Sequence, residues 1–157
     1  MTPNIGLSAK NLKSITGLLC SVLADAMLLY TKTRKFHWNV SGNSFMELHE
    51  LFEKQYKQLE RSIDEIAERI NKLGAKTPGT LHEFLQLSSL TEAPGKYPGQ
   101  KEMIKELLKD HEAVIVQLRK FVDQCDEEYK DQGTADFLVD LLKEHETIAW
   151  TLRRYLL

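Results

Sequence analysis

The sequence predicts an all-α protein: a four-helix bundle with a short extra helix in a long crossover between the second and third long helices. Three observations predict it. Apolar residues recur at steps of three and four through four long stretches. Glycine and proline fall almost entirely between those stretches. The breaks come as a short turn, a long connection and a second short turn.

The first long helix spans about Ser8 to Trp38, with a core seam of Leu12, Ile15, Leu19, Val22, Ala26, Leu29 and Thr33. Ser41-Gly42 ends that pattern. Ser44, followed three residues later by Glu47, has the spacing of a capping box and opens the second helix, about Ser44 to Leu73. Its apolar side carries Leu48, Phe52, Leu59, Ile63, Ile66 and Ile70, and Gly74 supplies its C-terminal cap. From Ala75 to Gly99 the chain is broken by Pro78-Gly79, Pro94-Gly95 and Pro98-Gly99, with a short helix expected over Thr80 to Leu90 behind a second capping box, Thr80 and Glu83. A connection of that length crosses a whole bundle. The third helix, about Gln100 to Tyr129, shows Ile104, Leu107, His111, Ile115, Leu118, Val122 and Cys125; the fourth, from near Thr134, carries Leu138, Leu141, His145, Ile148, Leu152 and Tyr155. This connectivity is that of ferritin-like bundles, in which the second and third long helices run parallel.

With 157 residues, 42% hydrophobic and 28% charged, the chain is expected to form one soluble domain over residues 1–157. A formal charge of −2 points to no nucleic-acid partner. The first residues lack the apolar core of a signal peptide, and no apolar run is read as approaching the roughly 18 residues of a membrane span, so a cytoplasmic protein without a membrane partner is expected. Cys20 and Cys125 have no paired spacing and read as reduced, buried packing residues.

The chemistry concentrates between Phe36 and Arg69. His37 sits before the tight turn and His49 after it, on antiparallel neighbours, so the two imidazoles can face each other and share one cation. On the second helix His49, Glu53, Glu60, Asp64 and Glu68 follow one stripe. A solvated acidic ladder is the alternative reading, but like charges four apart destabilise a helix by roughly 0.2–0.5 kcal/mol per pair. A cation offsets that cost, and this ligand set suits iron, manganese or zinc better than calcium or magnesium. Asp64 lies fifteen residues beyond His49, roughly 22 Å along the axis. One chain cannot bring both to one ion: either there are two half-sites, or a second subunit across a two-fold axis delivers its acids to the histidines of the first.

The string His37-Trp38-x-Val40-x-Gly42, then Leu48-His49-x-x-x-Glu53, then Asp64-x-Ile66-Ala67-Glu68-Arg69 resembles the signature of the Dps family, the mini-ferritins named as DNA-binding proteins from starved cells. The resemblance implies a ferritin-like subunit, a hollow homododecamer, and a ferroxidase centre at each dimer interface. There iron would be held by His37 and His49 of one subunit and Asp64 and Glu68 of its partner, with Glu53 as an auxiliary ligand where the family often has aspartate. It also implies the activity: ferrous iron oxidised by hydrogen peroxide and stored as ferric oxide, protecting against oxidative damage. Peroxide as the oxidant comes from the resemblance alone.

Other candidates are set beside this reading. Asp131, Asp136 and Asp140 resemble the acids lining the three-fold pores of such shells; the alternative for Asp136 is a favourable interaction with the start of the last helix. Trp38, next to His37, is the candidate for absorbing stray oxidising equivalents, while Trp150 reads as an interface residue. His111 and His145 lie on apolar seams, where a core histidine with one hydrogen bond is expected over a second metal site. No histidine has glutamate three residues before it, so the in-bundle Glu-x-x-His centre is disfavoured. His82 reads as a surface residue. A nucleoid-compacting, DNA-binding protein is the alternative function. It is disfavoured because only Lys10 and Lys13 are basic before Ile15 and the other end stops at Arg153-Arg154-Tyr155-Leu156-Leu157, without the basic tail that phosphate contacts need.

Overall fold

The computed structural model of the chain describes residues 3–157. Five helices, α1 (Ala9–Asn39), α2 (Phe45–Lys72), α3 (Leu81–Leu87), α4 (Gln100–Asp123) and α5 (Gln132–Arg154), account for its regular structure together with a π-helical turn, Gln124–Glu128, that prolongs α4. There is no strand among the described residues. The four long helices are the bundle and α3 is the short helix of the crossover.

The apolar seams become the core. All seven seam residues of α1 are buried, as are Leu48, Phe52, Leu59, Ile66 and Ile70 of α2. Leu107, Leu118 and Cys125 face Leu138, Ile148 and Leu152 in the same cluster. Ile63, Ile115 and Val122 pack half-buried against that core, whereas Tyr155 caps α5 at the surface, 38% exposed, and its phenol donates to Glu47 Oε1 at 2.9 Å. That bond explains a second departure. Ser44 precedes α2 but makes no side-chain cap, so the expected Ser44–Glu47 capping box is absent. With Ser44 at φ −100°, ψ 30°, the turn is closed instead by backbone bonds from Phe45 N to Gly42 O and from Leu48 N to Ser44 O. The Thr80–Glu83 box is present in both directions, though α3 ends at Leu87.

Direction follows from contacts at the helix ends. α2 starts beside the end of α5, through Glu47 and Tyr155, and ends beside its start, where Arg69 bonds Thr134 Oγ1 at 2.9 Å and Asp131 Oδ1 at 3.3 Å. Asn11 near the start of α1 reaches Tyr129 O beyond the end of α4 at 3.0 Å, and Lys32 further along α1 meets Asp110 of α4 at 2.5 Å. Hence α1 opposes both α2 and α4, and α2 runs parallel to α4. The crossover makes this possible by travelling the length of the bundle.

Three polar residues of α1 hold the crossover in place. Asp25, with no exposed surface, accepts from Ser88 Oγ at 2.6 Å, Ser89 N at 2.7 Å and Ser89 Oγ at 3.0 Å. Lys32 and Lys35 donate to the carbonyls of Thr91 and Ala93, each at 3.0 Å. Positions 25, 32 and 35 share one face of a helix, so the segment Ser88–Ala93 is laid along α1. Phe84 of α3 packs below it, 7% exposed.

α1 is also long and apolar enough to cross a membrane by length and composition, which corrects the expectation that no run approaches a span. Most of that stretch is buried inside the bundle, and its hydrophobicity is that of a central core helix. Cys125 is fully buried, and burial pushes its thiol up to about 11; Cys20 is only half-buried, and the two are unbridged.

Replacing Asp25 with Ala should remove a buried acceptor of three bonds and cost about 2–3 kcal/mol, the scale of hydrogen bonds to a charged group. A lower denaturant midpoint with unchanged slope, together with faster proteolysis between Ser88 and Lys96, is the expected result.

Candidate metal centre

His37 lies in the last turn of α1 and His49 in the second turn of α2, either side of the turn at Gly42. The last four carbonyls of a helix have no partner within it, and that of His37 is one of them. It accepts from His49 Nδ1 at 2.8 Å. In return His37 Nδ1 lies 2.8 Å from the carbonyl of His49, which has a second lone pair available beside its helical bond. The rings stack at 3.8 Å between centroids, 21° from parallel. A carbonyl only accepts, so both Nδ1 atoms carry hydrogen. In its neutral form each ring is therefore the tautomer whose Nε2 lone pair is free, the state in which imidazole ligates a metal.

Aromatic rings fix the pair further. Tyr56 meets His37 edge-on at 5.3 Å and Phe45 lies against His49 at 5.2 Å. The guanidinium of Arg34 stands over Tyr56, Trp38 and Tyr30 at 4.8, 5.2 and 5.4 Å and donates to the Tyr30 phenol at 2.5 Å. This Arg34 cluster was not foreseen from sequence; its signal was Tyr30, Arg34 and Trp38 at four-residue steps along α1. Trp38 itself is 65% exposed.

The structure brings His37 and His49 together with Glu53 close by, and leaves Asp64 and Glu68 apart from them. Asp64 and Glu68 are exposed on later turns of α2, and no three histidine, cysteine or carboxylate groups converge on a metal position among the described residues. The stripe is less bare than its spacing implied. Lys57 bonds Glu53, and this bond holds the Glu53 carboxyl below its usual range; Lys72 pairs with Glu68 at 3.0 Å. Asp64 makes no ion pair among the described residues.

The other candidates separate clearly. Asp131 is the N-cap of α5: it accepts from Thr134 N at 3.0 Å, pairs with Arg69 and is 6% exposed. It therefore already has a structural duty. Asp136 and Asp140 are exposed, Asp140 beside Lys143 at 2.6 Å. His82 is exposed and touches only Gln86 in the hydrogen-bond network, as a surface residue should. His111 and His145 are core residues bonded to one another.

A family profile described as a ferritin-like domain matches residues 17–157. A DNA protection during starvation protein 2 of Bacillus anthracis is 41% identical over 109 residues, 69% of this chain and 73% of that protein. The chain belongs to the Dps family of the ferritin-like superfamily. A low temperature-induced protein of Nostoc sp. is 46% identical over 134 residues, 85% of this chain and 75% of that protein. The crystal structure of a Dps protein from Bacillus brevis superposes with a TM-score of 0.90 at 32% identity, covering 96% of this chain and all of that one. The Dps subunit fold thus extends over nearly the whole molecule.

The turn that sets the pair depends on Gly42, at φ +114°, where a Cβ would also come 3.3 Å from the Gln100 side chain. Gly42→Ala should cost about 1–3 kcal/mol in backbone strain. Adding Gln100→Ala, which opens the space but leaves φ unchanged, should not restore the denaturant midpoint.

Proposed function

We propose that this Dps subunit assembles into a hollow homododecamer that oxidises ferrous iron with hydrogen peroxide at its dimer interfaces and stores the ferric product. The observation that carries the reading is the stacked pair of His37 and His49, whose reciprocal bonds occupy both Nδ1 atoms and leave both Nε2 atoms free to ligate. Two neutral nitrogens bind a divalent cation but do not neutralise it. Carboxylates must complete the site; Glu53, one turn from His49, is held by Lys57, and Asp64 lies roughly 22 Å further on. Asp64 and Glu68 of a partner subunit running antiparallel supply the missing charge.

In this reading ferrous iron is the substrate. His37 and His49 orient it, Asp64 and Glu68 balance its charge, and Glu53 serves a second ion after leaving Lys57. Two ferrous ions each give one electron to one peroxide, whose O–O bond breaks to water after uptake of two protons. No hydroxyl radical is released when both electrons arrive together. Trp38, beside His37 and open to solvent, would take a stray oxidising equivalent. Asp136 and Asp140 are the exposed acids available to line an entry pore; Asp131 would support that wall by capping α5. Unbridged Cys20 and Cys125 fit a cytoplasmic location.

DNA compaction remains the second reading, since the Bacillus anthracis relative is named for DNA protection. The formal charge of −2 weighs against it.

His37→Ala, His49→Ala, Asp64→Ala and Glu68→Ala should each slow peroxide-driven iron oxidation at least tenfold while helix content by circular dichroism stays near that of wild type. Unfolding by any of the exposed acid variants would point to a structural role for that acid. In gel shifts at about 150 mM salt, without iron or magnesium, DNA mobility should not change; a retarded band would favour the nucleoid reading.

A further inference from the structure

His111 of α4 and His145 of α5 take no part in the proposed iron chemistry. They are 0% and 5% exposed, their rings lie 5.0 Å apart at 49°, and their Nδ1 atoms are separated by 2.8 Å. His111 Nε2 is buried without a partner. Two nitrogens bound tetrahedrally to one ion at about 2.0–2.1 Å stand roughly 3.3 Å apart, so this contact is a shared proton rather than a metal site. One Nδ1 donates and the other accepts.

We propose that this pair is an acid-sensitive latch, joining α4 to α5 while both rings are neutral and loosening that joint when acid charges them. A first added proton places a cation in the core. A second sets N–H against N–H at hydrogen-bond distance. No carboxylate hydrogen-bonds either ring among the described residues, and the charged groups on the neighbouring turns are engaged elsewhere. On α4, Asp110 and Glu106 are taken by Lys32 of α1, and Glu112 by Arg153 of α5. On α5, Glu144 accepts from Ser62 of α2, and Glu146 is taken by Arg119 of α4. Asp25 of α1 is bound to the crossover, and Tyr56 of α2 lies against His37.

Burial holds His145 down at about 4 and His111 well below the ordinary imidazole value, the latter also through its neighbour. In the unfolded chain both take up protons near 6.5. The stability they contribute is therefore complete above about pH 6.5 and falls progressively down to about pH 4, where His145 charges in the folded state too. Between pH 7 and 5 the folded-to-unfolded ratio should drop about 20-fold through His145 alone, and further when both rings act.

The test compares intact wild type with His111→Leu/His145→Leu at one protein concentration, by denaturant titration at pH 7 and pH 5. The loss of folded-to-unfolded ratio should be at least about 20-fold smaller in the variant; an equal loss would overturn the latch. If the variant does not fold, solid-state NMR of wild type with 15N-labelled histidine decides. One Nδ1–H and one bare Nδ1, with both rings neutral at pH 5.5, is the expected result. An imidazolium signal from either ring at that pH would overturn it.

Discussion

The reciprocal bond between His37 and His49 is the constraint on which the proposed site rests. Each imidazole donates to the other's backbone carbonyl, so neither ring can rotate without losing its own bond to the facing helix. The arrangement needs a helix that ends where its carbonyls are free, a turn short enough to bring the next helix back, and a residue at Gly42 that tolerates φ +114°. All three are local. The pair is consequently preorganised in a single subunit, before any metal or partner arrives.

α1 extends that order through the molecule. Its apolar seam is the centre of the core. Asp25, Lys32 and Lys35 hold the crossover that makes α2 and α4 parallel, and its last turns carry Arg34, His37 and Trp38. Packing, topology and site geometry thus share one element. The same parallelism leaves α2 with an exposed acidic face displaced along the axis from the histidines of its own chain. That displacement fits a two-fold interface, in which antiparallel copies of α2 set one copy's acids opposite the other's histidines.

Much of this was legible in the sequence because it depends on period and spacing. The helical seams, Gly74 as a cap, the Thr80–Glu83 box and the facing histidines all follow from positions three, four and twelve residues apart. What was not legible depends on contacts distant in sequence. Ser44 and Glu47 have capping-box spacing, but Tyr155, more than a hundred residues away, takes the glutamate. Asp131 resembles a pore acid, yet Arg69 and Thr134 draw it into the cap of α5. The acidic stripe seemed uncompensated because Lys57 and Lys72 were not counted with Glu53 and Glu68, although each lies four residues on. His111 and His145 were recognisable as core histidines, but their pairing across two helices was not. α1 is long and apolar enough to cross a membrane because a central core helix is apolar on more than one side.

A single chain supplies two imidazoles, and its Asp64 and Glu68 lie too far along α2 to complete the centre. Complementation tests this directly. One variant carries His37→Ala with His49→Ala and another Asp64→Ala with Glu68→Ala; each alone should form a nearly inactive shell. Co-refolding in equal amounts makes about half of the dimers mixed, each with one whole centre and one lacking every ligand, so roughly a quarter of wild-type iron oxidation should return. No recovery in shells shown by mass to be mixed would contradict the intersubunit site.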